Sequence, residues 1–143
     1  MSSDKELAKK VVDKMLQGDK FSAWLGIQVT ELSPGRAVLK MKVRAEMLNG
    51  FGVAHGGIQY SFADSALAFA ANGWGRKSLA LQNSISYPAP VHENDELTAV
   101  AEELHLGKST ASYDITVTNQ NNRKVALFRG TVFRTTEEWF PKE

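Results

Sequence analysis

The sequence predicts one domain of the α+β class, in which a long buried helix is wrapped by an antiparallel sheet of about six strands. Two observations lead to this class. Residues 58–75 form the most hydrophobic helical stretch, with apolar or small side chains on several faces, as expected of a helix in a protein interior. Strand-like segments lie on both sides of it, two before and four after. A helix of this kind beside strands joined by short turns favours a sheet that curves around it.

The N-terminal segment is predicted to be a short amphipathic helix over residues 5–17. Leu7, Val11 and Met15 recur near the helical period among lysines and acids, and Gly18 is expected to end the helix. One apolar face on a charged segment indicates a helix that packs against the rest of the domain.

Two extended runs precede the central helix. Between Trp24 and Val43 the runs GIQVTEL and AVLKMKV alternate apolar and polar residues, and the turn residues Ser33–Arg36 separate them. The pattern predicts a β-hairpin. Asn72 and Gly73 are expected to end the central helix.

Four further strands are expected after the helix. Each is rich in β-branched or alternating residues and is bounded by turn residues. The predicted strands are Ser78–Tyr87, Glu96–Leu106, Ser109–Asn119 and Val125–Thr135. Because the turns between the last three are short, these are expected to form an antiparallel meander.

The composition is that of an ordinary globular protein. The 143 residues include 17 Lys and Arg against 16 Asp and Glu, and 43% are apolar. A chain of this length buries about 68–70% of its unfolded surface, so its core needs neither disulfides nor a structural metal. We expect residues 1–20 to hold the N-terminal helix and residues 21–143 to form a single domain. The balanced charge gives no reason to expect a nucleic-acid partner.

Several kinds of chemistry are excluded by the residues that are missing. Without cysteine there is no thiol nucleophile, disulfide scaffold or thiolate zinc site. The three histidines, His55, His92 and His105, do not have the spacing of metal ligands, so no metal site is expected. The GxSxG motif of serine hydrolases and a P-loop lysine are also absent.

The N-terminal sequence predicts a cytoplasmic protein. Residues 1–19 are charged throughout and lack the apolar core of a signal peptide. No apolar run of 18 residues occurs, so no membrane insertion is expected.

The glycine-rich segment that opens the central helix is a candidate for chemistry. It reads Asn49-Gly50-x-Gly52-x-x-His55-Gly56-Gly57. The amides of Gly56 and Gly57 fall in the first helical turn, where free N–H groups and the helix dipole favour an anion or a developing oxyanion. Glycine also lets a ligand approach the backbone closely.

Asp64 is the second candidate, because it lies in a helix otherwise built from apolar and small residues. An unpaired carboxylate in such surroundings costs several kcal/mol, so it must be paired, protonated or facing a cleft. Eight helical residues place Asp64 about 12 Å from Gly56 along the axis. If both groups serve one carbonyl, they must come from different subunits, so the hypothesis predicts a dimer.

Each candidate also has a plain structural interpretation. The glycines are consistent with a turn, His55 with a helix-capping residue, and Asp64 with a hydrogen-bonded structural acid. Asn49 alone fits a turn residue, and Tyr60 and Phe62 fit the core. The combination is harder to explain by structure alone.

The motifs NGFGVAHGG and ADSALAFA resemble the hotdog-fold acyl-CoA thioesterases, specifically the phenylacetate-pathway (PaaI-type) branch. The resemblance covers residues 20–135 and includes HLGKSTASYDITVTNQ and KVALFRGTVFR. It implies a hotdog fold, homodimers that often pair into tetramers, and no cofactor, since coenzyme A is part of the substrate.

By this resemblance, Asp64 either activates water as a general base or attacks as a nucleophile. The Gly56 amide of the partner subunit polarises the thioester carbonyl, while His55 and Asn49 shape the site. Some relatives carry a serine on the following strand, where this sequence has Ala80, and neither Ser78 nor Asn83 is a clear replacement.

The resemblance also indicates where coenzyme A binds, in a groove at the subunit boundary. The matching positions are Gly57, Tyr87, Pro88, Gly107, Lys108, Ser109 and Arg134. Turns between strands often contain such residues, so these positions also fit a structural role. The shape of the acyl site depends on residues such as Phe51, Tyr60 and Trp74.

The first functional hypothesis is hydrolysis of an aryl-acetyl-CoA or medium-chain acyl-CoA to free acid and CoA. The alternative is a noncatalytic acyl-CoA binding or sensing module of the same fold. A hydratase or dehydratase ranks below both, because that branch of the fold lacks the His-Gly-Gly motif.

Overall fold

The structure, a computed structural model, describes residues 2–142 and confirms the predicted α+β class. Its helices are α1 (Ser2–Gly18), α2 (Lys20–Leu25) and α3 (Gly56–Asn72), and a 3-10 turn spans Ala45–Met47. Its strands are β1 (Gln28–Ser33), β2 (Arg36–Lys42), β3 (Arg76–Ser86), β4 (Glu96–Leu106), β5 (Thr110–Thr118) and β6 (Lys124–Glu138).

The six strands form one antiparallel sheet in the order β1-β2-β4-β5-β6-β3. The predicted hairpin is β1-β2, and the predicted meander is β4-β5-β6. Within residues 2–142, strand β3 pairs with β6 alone, by a register that sets Asn83 opposite Gly130. The strand that follows the central helix is therefore an edge of the sheet.

Helix α3 is the centre of the core, as its composition predicts. It contacts all six strands, so the sheet curves around it. Phe62, Leu67 and Phe69 are among its fully buried side chains, and its C-terminus is capped by Gly73. Burial on several sides explains why this helix has small and apolar residues around most of its circumference.

The segment before β1 differs from the prediction, because residues from Lys20 to Leu25 are helical. The Asp19 side chain caps this helix by accepting from the Ser22 amide at 2.9 Å, and Gly26 ends it with a left-handed φ of 78°. The expected extended run from Trp24 therefore begins only at Gln28. The expected boundary between residues 20 and 21 lies in the first turn of α2.

The two edges of the sheet are covered unequally. Helix α1 packs on β1 and α3, with Ala8, Val11 and Val12 buried. At the other edge, β3 exposes Leu79 at 68% and Leu81 at 61%. An edge strand with exposed apolar side chains is a surface on which another strand can pair.

Among the helices that the structure describes, none is long and apolar enough to cross a membrane.

Candidate active site

The loop before α3 is organised by Asn49. Its side-chain Oδ1 accepts from the amides of Phe51 at 2.8 Å and Val53 at 3.4 Å, and its carbonyl accepts from Gly52 at 3.1 Å. Gly52 has a left-handed φ of 80°, which glycine adopts without strain. The Asn49 oxygen therefore holds the loop in shape.

His55 is the N-cap of α3. Its Nδ1 accepts from the Gly57 amide at 3.3 Å, while its carbonyl accepts from Ile58 at 2.8 Å. No acceptor in residues 2–142 takes the Gly56 N–H. The amide of Gly57 is thus satisfied within the chain, and the amide of Gly56 is the one free to bind an oxygen of a ligand.

Tyr87 lies against the start of the same helix. Its hydroxyl donates to the Gly56 carbonyl at 2.8 Å, and its ring comes within 3.2 Å of where a Cβ on Gly56 would lie. Pro88 follows it in the bend after β3. The pKa of Tyr87 is raised, mainly by burial and to a smaller extent by the neighbouring Tyr60. The hydroxyl therefore stays protonated and can donate. Glycine at 56 therefore leaves room for this ring.

Asp64 lies in the middle of α3, half-buried. Its Oδ1 accepts from Asn83 Nδ2 at 3.2 Å, and the same Nδ2 lies 3.2 Å from the Tyr60 hydroxyl. Burial raises the pKa of Asp64 above its ordinary 3.8, and the Asn83 hydrogen bond opposes that rise. The carboxylate also lines a cavity of about 460 Å³ between α3, β3, β6 and the C-terminal segment.

The position of Asn83 depends on the lack of a side chain at Gly130. A Cβ on Gly130, its partner in β6, would lie 2.7 Å from Asn83 Oδ1 and 2.6 Å from Leu67 Cδ2. Asn83 Oδ1 is buried without a hydrogen-bond partner in the described structure. The amide of Asn83 is thus fixed by its two contacts on α3, Tyr60 and Asp64.

The other predicted coenzyme A contacts gather at the turn between β4 and β5. Arg134 Nη1 donates to the Gly107 carbonyl at 2.7 Å, and its amide donates to Ser109 at 2.7 Å. Arg76, which the sequence analysis did not single out, donates to the Lys108 carbonyl at 2.8 Å. The pKa of Arg134 is lowered, mainly by burial and to a smaller extent by the positive charge of Arg76. The structure brings three cationic side chains to this turn.

The residues proposed to shape the acyl site are dispersed. Phe51 is 92% exposed, and the Trp74 indole donates to Glu103 at 2.8 Å near the C-terminal end of α3. Tyr60 packs edge-on against Phe128 at 5.3 Å between ring centroids.

Within residues 2–142, no three histidine or acidic side chains lie close enough together to hold a metal ion.

Comparison with known proteins identifies the family. Residues 51–126 match the family described as the thioesterase superfamily. The chain belongs to the thioesterase superfamily. It is 42% identical over 120 residues to the acyl-coenzyme A thioesterase PaaI of Escherichia coli, covering 84% of this chain and 86% of that one. It is 39% identical over 136 residues to an Archaeoglobus fulgidus protein described as a putative esterase, covering 95% and 88%.

Solved structures agree with the family. The E. coli PaaI protein from the phenylacetic acid degradation operon matches with a TM-score of 0.91 at 38% identity, over 94% of this chain and 97% of that one. A hypothetical thioesterase from Streptococcus pneumoniae, solved with coenzyme A, matches at 0.76 and 30% identity, over 78% and 88%. The expected hotdog fold, the resemblance to the PaaI-type branch and the expected enzyme class, a thioester hydrolase, are confirmed.

The contact between Asn83 and Asp64 predicts how the carboxylate titrates. Replacing Asn83 with leucine removes the donor that favours the ionised form, so the Asp64 pKa is expected to rise further above 3.8. Since a raised folded-state pKa makes ionisation costly, the stability that Asp64 contributes is present below pH 3.8 and lost as the pH rises through the folded pKa. Carbon-detected NMR titration of the Asp64 carboxyl in both proteins measures the shift.

Asn121→Leu, a matched change on an exposed turn, is the control and should leave the Asp64 titration unchanged. An Asp64 pKa in Asn83→Leu equal to or lower than that of the unmodified protein would contradict the assignment.

Proposed function

We propose that this thioesterase hydrolyses acyl-CoA thioesters to the free acid and CoA, with an aryl-acetyl or medium-chain acyl group. The observation that carries the proposal is Asp64, a half-buried carboxylate with a raised pKa that lines a largely apolar cavity and is oriented by Asn83. The relatives described as acyl-CoA thioesterases, and the related structure solved with coenzyme A, support this substrate class.

The chemistry needs an activated attacker and a polarised carbonyl. Asp64 supplies the first, either by taking a proton from water or by attacking the carbonyl carbon itself. Addition gives a tetrahedral oxyanion, whose collapse breaks the C–S bond and releases CoA as a thiolate. When water is the attacker, this step gives the free acid directly. When Asp64 attacks, it leaves an acyl–carboxylate anhydride on the enzyme, which a water molecule then hydrolyses to the free acid and restores Asp64. A thiolate leaves without strong acid assistance, so no further acid is required.

The oxyanion donor in this proposal is the Gly56 amide. It lies at the positive end of the α3 dipole, and the Gly57 amide beside it is already bound by His55. His55 and Asn49 contribute by fixing the loop and the first turn, so the amide is oriented before substrate arrives. Gly57 contributes backbone close to the substrate.

A homodimer completes the site in this proposal. Gly56 and Asp64 are separated by eight residues of α3, about 12 Å, so one carbonyl cannot contact both in one subunit. The exposed apolar edge of β3, with Leu79 and Leu81, is a surface that a second copy can cover. Asp64 of one subunit then acts with Gly56 of the other. Two dimers pair further into a tetramer.

Coenzyme A binds, in this proposal, along two surfaces. Tyr87, which Pro88 follows in the chain, contacts Gly56, and the thioester end of the substrate enters here. Lys108 and Arg134 supply positive charge for its phosphates at the β4–β5 turn, together with the turn backbone of Gly107 and Ser109.

A noncatalytic acyl-CoA binding module is the second candidate, since Asn83 and Gly130 also give Asp64 a structural environment. Measuring turnover of acyl-CoA distinguishes this candidate from the enzyme. A binding module holds acyl-CoA tightly at high protein concentration without releasing thiol.

Asp64→Asn is expected to lower kcat at least about 100-fold, because the amide can neither take a proton nor attack. Free-thiol release from a panel of acyl-CoA substrates measures the loss. Asp13→Asn, which removes a carboxylate exposed on α1, is the control and should retain activity. Turnover by Asp64→Asn equal to that of the unmodified enzyme would refute the catalytic role.

Gly56→Pro tests the amide hydrogen alone. Proline is well accepted as the first residue of a helix, and His55 already has the extended ψ of 135° that a residue before proline prefers. Loss of one oxyanion donor is expected to lower kcat about 10²–10³-fold. The measurement is the same thiol-release assay, at saturating substrate.

Gly56→Ala is the matched control, because its Cβ makes the same close contact with Tyr87 but the N–H is kept. Gly56→Ala should retain at least ten times the kcat of Gly56→Pro. Equal kcat values for the two variants would show that the amide hydrogen has no part in catalysis.

A further inference from the structure

The cavity beside Asp64 runs along α3 towards its C-terminal end. Asp64 and Asn72 both line it and are eight positions apart on the helix, so they lie about 12 Å from each other along its axis. Its volume of about 460 Å³ lies in the range of small-molecule pockets. Apolar side chains form its walls between these two ends: Leu67 and Ala68 from α3, Leu79 and Ala80 from β3, and Val132 from β6.

Trp139, in the C-terminal segment after β6, lines the cavity at its Asn72 end, away from Asp64. Its indole Nε1 donates to Asn72 Oδ1 at 2.9 Å, and its amide donates to the Gly75 carbonyl at 2.8 Å. The ammonium of Lys77 lies over its ring, 5.2 Å from the centroid. These three contacts fix the position of Trp139.

The acceptor of the indole is itself immobile. Asn72 is 2% exposed, and its Nδ2 donates to the carbonyls of Ala68 at 2.8 Å and Ser78 at 3.1 Å. Its Oδ1 also accepts from the Ser78 amide at 2.9 Å. Because a buried amide with all its partners is costly to disturb, Trp139 is attached to a rigid point of the core.

Charged groups lie next to the indole at the same end. Lys77 Nζ and Glu137 Oε1 form an ion pair at 2.8 Å, and both residues line the cavity. An apolar chain that extended past the indole would remove water from this pair, which is unfavourable. The cavity therefore has the Asp64 carboxylate at one end, largely apolar walls, and the Trp139 indole beside a partly hydrated ion pair at the other end.

We propose that Trp139 sets the length of the acyl group that this enzyme accepts. The inference rests on the proposed function, because it places the acyl chain in the cavity with its carbonyl at Asp64. Aryl-acetyl and medium-chain acyl groups fit between Asp64 and the indole, and long chains meet the indole.

The test compares kcat/KM for hexanoyl-CoA, phenylacetyl-CoA and dodecanoyl-CoA. Trp139→Ala opens the far end and is expected to raise the ratio of dodecanoyl-CoA to hexanoyl-CoA at least about tenfold, the scale on which a hydrophobic pocket discriminates chain length. Trp139→Phe retains a ring and should change this ratio less. An unchanged ratio in Trp139→Ala would overturn the inference.

Phe140→Ala is the matched control. It removes the next aromatic residue of the same segment, which packs on Lys10 at 4.0 Å from the ring centroid, and should leave the ratio unchanged. Ala68→Leu narrows the cavity from α3 and keeps the inference testable if Trp139→Ala does not fold. It should lower the ratio, and a ratio that does not fall would overturn the inference.

Failure of the inference is distinguishable from failure of the proposed function. An unmodified protein that hydrolyses none of the three substrates refutes the function. Hydrolysis that Asp64→Asn abolishes, together with a chain-length ratio that Trp139→Ala leaves unchanged, refutes only the role of Trp139.

Discussion

The site is constrained by helix α3, because this one rigid helix holds both the free amide of Gly56 at its start and the carboxylate of Asp64 in its middle. Eight residues of helix hold Gly56 and Asp64 about 12 Å apart, and packing against six strands fixes the helix in the core. One thioester carbonyl can contact both an amide and a carboxylate of this kind only if α3 of a second subunit supplies one of them. The uncovered edge of β3 offers the surface for that second copy.

The same packing sets the chemistry of the carboxylate. Burial between α3 and the sheet raises the pKa of Asp64, which makes the ionised form a stronger base, while the Asn83 amide favours that ionised form. Gly130 leaves room for Asn83 in this position, because a Cβ there would displace the Asn83 amide or Leu67. Three elements, α3, β3 and β6, therefore fix the orientation and the basicity of one group together.

The sequence predicts the elements that have a strong local period and misses those defined by long-range contacts. Asp64 could be found because a carboxylate in an apolar helix demands an explanation, and the strands because they alternate between turns. Helix α2 was missed because its six residues, capped by Asp19, are too short for a clear period. The roles of Asn83 and Trp139 depend on partners 19 and 67 residues away, Asp64 and Asn72, and no local pattern reports such pairs.

Division of one active site between two subunits is tested most directly by mixing two impaired variants. Asp64→Asn and Gly56→Pro are unfolded together at equal concentration and refolded, so that random pairing makes half of the dimers heterodimers. Each heterodimer has one site with both groups intact and one site with neither, so thiol release should recover to about a quarter of the unmodified activity. Activity no higher than that of the parent variants, in a mixture that native mass spectrometry shows to contain heterodimers, would contradict the shared site.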